Sequence, residues 1–75
     1  MREVIERLIR YALHFNLLEE YRCNVTVDKT VISIMFVKSG NILIEETIDK
    51  LDVKSEEFVS KQLELVCEKL HIHKS

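Results

Sequence analysis

Cys67 and His71, four residues apart, and the pair Cys23 and His14 are the residues in this chain whose types could make a thiol nucleophile. His71 and His73 add an H-x-H pair with the donor chemistry of a metal site. A thiol attacks as thiolate, which needs an electropositive and partly exposed setting. Neither cysteine has one in the sequence. Cys23 alternates with Tyr21 and Val25 on an apolar face, and Cys67 lies beside an apolar stripe near a helix C-terminus, where the dipole disfavours negative charge. Zinc takes three or four ligands, and no spacing obliges His14 or Cys23 to complete a set begun by His71 and His73. The chain contains no glycine-rich phosphate loop and no G-x-S-x-G. A core this small is not expected to hold a substrate pocket of ~300 Å3. The reading is therefore of a chain that is not an enzyme, with no catalytic residues, no metal and no cofactor.

Seventy-five residues correspond to one domain, residues 1–75, near the lower size limit for a core without disulfide or metal staples. With 47% hydrophobic and 32% charged residues the chain is globular rather than disordered. No proline and a single glycine argue for nearly continuous secondary structure. The net charge of −2 gives no overall attraction for nucleic acid or an anionic membrane. No apolar run approaches the ~18 residues of a membrane span, and the charged start Met1-Arg2-Glu3-Val4-Ile5-Glu6-Arg7 lacks an apolar leader. Both thiols are expected to be reduced and buried, in a cytoplasmic protein.

The elements that position these residues follow from hydrophobic period. Val4, Ile5, Leu8, Ile9, Ala12, Leu13 and Phe15 recur at helical spacing, with Glu3 to Arg7 and Glu6 to Arg10 as supporting ion pairs. This helix is expected to end around residues 15–18, with Asn16 a candidate for a left-handed cap. The period then changes to strict alternation. Tyr21, Cys23, Val25 and Val27 face one way; Arg22, Asn24, Thr26 and Asp28 face the other. Residues 31–37 are apolar on both faces, and Ile42 to Ile48 form a third run. Asp28-Lys29 reads as a two-residue turn, and Gly40 marks a better-specified one at residues 38–41. Ser55 is an N-cap for a last helix whose inner face is Phe58, Val59, Gln62, Leu63, Val66 and Leu70, with the tail from His71 fraying.

The expected fold is thus α+β in the order α-β-β-β-α, a three-stranded antiparallel meander with both helices packed on one face. That arrangement turns Val31, Ser33, Met35 and Val37 away from the helices, beside Leu43 of the third strand. An apolar stripe there gains several kcal/mol when covered, at roughly 25 cal/mol per Å2. The chain is accordingly expected to be a small interaction or regulatory protein whose partner is a second copy, joined through the outer sheet face or a strand edge, or another protein.

The order of elements is similar to that of the double-stranded RNA-binding domain family, over essentially the whole chain. That family places a basic cluster at the start of its last helix, whereas this chain reads Lys54-Ser55-Glu56-Glu57-Phe58-Val59. The acids would repel phosphate, so the likeness stops at element order and nucleic acid is not an expected partner. The acids themselves offer an alternative function. Glu45, Glu46, Asp49, Asp52, Glu56 and Glu57 stand against Lys50 and Lys54, a local charge of −4, while the rest of the chain sums to +2. Such an edge is suited to an acidic inhibitor, of the kind a phage would encode, that occupies a partner's basic nucleic-acid groove.

Overall fold

Val4, Leu8 and Phe15 fall on one stripe of α1 (Arg2–Asn16) and are buried, with Ile5, Tyr11 and Ala12 half-buried beside them. The computed structural model describes residues 1–74. After α1 come β1 (Tyr21–Val27), β2 (Ile32–Lys38), β3 (Asn41–Ile48) and α2 (Glu56–Lys74). The fold is α+β, one antiparallel sheet in the order β1-β2-β3 with both helices on one face. The core side of the sheet is Cys23, Ile32, Ile34, Phe36, Ile44 and Ile48, met by Val59, Leu63, Val66, Cys67 and Leu70 of α2. At one end of the core the rings of Phe15, Tyr21 and Phe36 meet at centroid distances of 4.7 to 5.5 Å.

The two hairpins are built differently. Lys38 pairs with Asn41, and between them Ser39 and Gly40 both take positive φ, 50° and 83°. That is the primed turn whose twist suits a hairpin, and Gly40 supplies half of it without strain. The first hairpin departs from the two-residue turn expected at Asp28-Lys29. Val27 pairs with Ile32, leaving a four-residue loop closed by the Asp28 N–H on the Val31 carbonyl at 2.8 Å. Asp28 adds its carboxylate as acceptor for the Lys29 N–H at 2.7 Å, which fixes the loop without positive φ.

Other local expectations change as well. Ion pairs in α1 are not those anticipated: Arg2 takes Glu6 at 3.3 Å, and Arg10 donates to the Glu6 carbonyl at 3.5 Å. Ser55 does cap α2, accepting the Phe58 N–H at 3.1 Å. Phe58 itself is exposed and Gln62 half-buried, because the buried stripe is centred on Leu63 and Leu70. The tail does not fray: α2 continues to Lys74, with His71 Nδ1 3.1 Å from the Tyr11 hydroxyl and the His73 ring 5.4 Å from Phe36. Ser75 lies outside the described residues.

Candidate interaction surface

Asn16, the last residue of α1, is not a left-handed cap; Leu17 follows it at φ −80°. Its side-chain amide instead engages β1. Nδ2 donates to the Cys23 carbonyl and Oδ1 accepts the Cys23 N–H, both at 2.7 Å. An amide held this way satisfies a strand residue as a neighbouring strand would. Because the N–H and C=O of Cys23 point at Asn16, they point away from β2, and the alternation of a strand sends those of Val25 and Val27 the same way. Nothing among the described residues pairs with them. The edge of β1 is closed at Cys23 and open beyond it.

Beside that open half runs a groove of about 510 Å3, walled by Ile9, Ala12, Leu13 and Asn16 of α1 and by residues 23–26 of β1. Its helix rim is apolar. Ile9, Leu13 and Leu17 succeed one another every four residues, and Leu13 is 63% and Leu17 85% exposed. Val27, next to the open edge, is 51% exposed. These residues were missed as a surface in the sequence because α1 carries two adjoining apolar stripes. Period alone merges them into one face. The i, i+4, i+8 spacing of Ile9, Leu13 and Leu17 was the available signal, since a helix needs no second stripe to bury one face.

The outer sheet face is where the sequence placed it. Ser33 and Met35 face Thr26 and Asn24 on one side and Thr47 and Glu45 on the other, with Val37 beside Arg22. Flanking side chains already cover much of the stripe: Val31, Ser33 and Val37 are half-buried and Met35 is 37% exposed. A bulge in β3 sets both Ile42 and Leu43 against Val37, and both are exposed. The stripe is real but narrow.

The six acids are distributed along β3, the following loop and the start of α2. Four of them hold a cation of the same chain: Glu46 with Lys69 at 3.8 Å, Asp49 with Lys54 at 3.3 Å, Glu56 with the Met1 amine at 3.3 Å, and Glu57 with Lys61 at 3.9 Å. Glu45 and Asp52 have no ion pair among the described residues. This internal pairing weakens the field the acids would project toward a basic groove.

Both thiols are free and buried. Loss of hydration pushes the Cys23 thiol from 9.0 up to about 11. Burial also raises Cys67, with Arg7 opposing and Glu64 adding to the shift. Both are therefore protonated near neutral pH, the state of a core residue rather than a nucleophile. Among the described residues no group of three or more His, Cys, Asp or Glu side chains is arranged to hold a metal ion. No helix among them is long and apolar enough to cross a membrane. Comparison with protein-family models, with curated proteins and with solved structures finds no match for this chain.

Proposed function

We propose that this chain is a non-enzymatic interaction module that works as a homodimer assembled through its sheet. The observation that carries this reading is the open half of the β1 edge beside an apolar helix rim. Exposed strand edges are a liability that small proteins cover, charge or bend, and here the uncovered groups of Val25 and Val27 have none of these protections. The reduced, protonated thiols suit a cytoplasmic setting. The acidic-inhibitor reading is weaker because four of the six acids already hold a cation of the same chain.

Light scattering tests the proposal. The chain is expected to show twice its 8.9 kDa mass at micromolar concentration and to dissociate on dilution. A mass that stays at one chain across the accessible range overturns it.

A further inference from the structure

Resting on that reading, we infer that two copies join β1 to β1 in antiparallel register about Thr26, giving one continuous six-stranded sheet with the α1 rims meeting over the joint. The open groups on β1 belong to Val25 and Val27, with Cys23 already held by Asn16. In one antiparallel register Val25 of each copy faces Val27 of the other. All the open groups are then paired, and Thr26 faces Thr26 on the twofold axis. The neighbouring register that centres on Val25 sets Val27 against the closed Cys23 and leaves it unsatisfied. Asn16 therefore acts as a register stop.

One register of the helix rim is compatible with the same axis. Antiparallel packing of α1 on its copy sets Ile9 against Leu13 and Leu13 against Ile9, with Leu17 over the half-buried Ile5. That arrangement is symmetric about the midpoint between Ile9 and Leu13. Asn16 touches Cys23, so positions along the two elements can be compared from that contact. Thr26 lies three residues on, about 10 Å along the strand. The rim's midpoint lies five residues back along α1, about 7.5 Å on a helix running the opposite way. In that register the two symmetry centres fall within a few ångström of each other, so strand pairing and helix packing can share one twofold axis. Charge agrees as well. On the outer face Asn24 meets Asp28 of the second copy and Arg22 meets Thr30, so no like charges oppose. The β3 edge offers a poorer match, since pairings centred on its C-terminal half set Glu45, Glu46 and Asp49 against the same acids of the other copy. A stable dimer takes about 800 Å2 from each partner, roughly 15% of this chain's 5329 Å2.

The test is a cross-link in the 75-residue chain. Directly opposed residues of a non-hydrogen-bonded pair are close enough for a disulfide, so Thr26→Cys is expected to link two copies under mild oxidation, with about tenfold more dimer on a non-reducing gel than Asn24→Cys. Leu13→Glu, on the exposed rim, is expected to suppress the link while the far-ultraviolet circular dichroism of the folded chain is kept, with the urea midpoint falling only by what association contributed. Equal linking by the two cysteine variants overturns the register. If the parent chain is dimeric and Met35→Glu alone makes it monomeric, self-association stands and moves to the outer face, and the β1 joint is wrong. If the parent chain is monomeric at every concentration, the groove is vacant or takes a strand from another protein, and both the joint and the homodimer fall.

Discussion

The two edges of this sheet solve the same problem in opposite ways. The β3 edge carries Glu45 and Glu46 and a bulge at Leu43, so charge and local bending both discourage a further strand. The β1 edge has no charge between Val25 and Val27, and it is protected only at its start, by the Leu18 carbonyl on the Tyr21 N–H and the Asn16 amide on Cys23. One edge carries charge and a bulge; the other is held from Tyr21 to Cys23 and then left open. The contrast shows that an edge can be closed by one well-placed side chain, and that the closure also sets where the open part begins.

Breaking the clasp should have the largest effect. Asn16→Ala removes two short bonds and leaves the Cys23 N–H and C=O unpaired beside a buried side chain, so a loss of about 2–3 kcal/mol is expected. Urea denaturation measures it, and the longer open edge should raise association rather than lower it. A stability change under 0.5 kcal/mol would show that water replaces the amide without loss, and would remove the distinction drawn between the two halves of β1.

The second effect is on pH. Cys23 titrates higher in the fold than in the unfolded chain, so the unfolded state loses its proton first as pH rises. The stability linked to that thiol is complete below pH 9.0 and declines toward pH 11, by an amount on the order of 2 kcal/mol. Chemical denaturation across this window should show the decline in the parent chain and a smaller one in Cys23→Ala. Identical profiles would place the thiol in water rather than under α1.

The smallest effects are expected at the hairpin that holds β3 in register. A Cβ at Gly40 meets nothing within 4 Å, so the cost of Gly40→Ala is backbone strain alone, about 1 kcal/mol. Ser39 sits at φ 50°, where asparagine is better tolerated, so Ser39→Asn should raise stability by about 0.5 kcal/mol. Thermal melts of the two variants read the opposite signs. Neither should alter the oligomeric mass, because this hairpin belongs to the other side of the sheet from the proposed joint.

Much of this architecture was legible in residue order. Alternation from Tyr21 to Val27 and the doubly apolar residues 31–37 specify a central strand with one face on each side. The inward set Ile32, Ile34 and Phe36 follows from that pattern, as does the outward set Ser33, Met35 and Val37. Three features escaped for physical reasons. The Asp28 loop closes with backbone and carboxylate bonds that any short polar sequence could make, so its length is not encoded by residue type. Phe58 is apolar yet exposed because the helix phase is set by the whole run from Val59 to Leu70, which one residue at the start cannot shift. The clasp was invisible because Asn16 has two uses near a helix end, a left-handed turn or a side-chain bond. Only the position of Cys23 in space chooses between them.

Three strands, an odd number, separate the two helices, and α1 and α2 therefore run the same way: Met1 lies beside Glu56 and Tyr11 beside His71. Their peptide dipoles therefore add instead of cancelling, while Glu3, Glu56 and Glu57 at the positive ends and Lys74 at a negative one carry charge of the sign that opposes the sum. A single chain thus has parallel helix moments and end charges of opposing sense, and their difference is a moment that no symmetry cancels. A twofold partner across β1 lies head to tail with it and brings that moment close to zero, so dielectric relaxation could tell the closed pair from the single chain without any label.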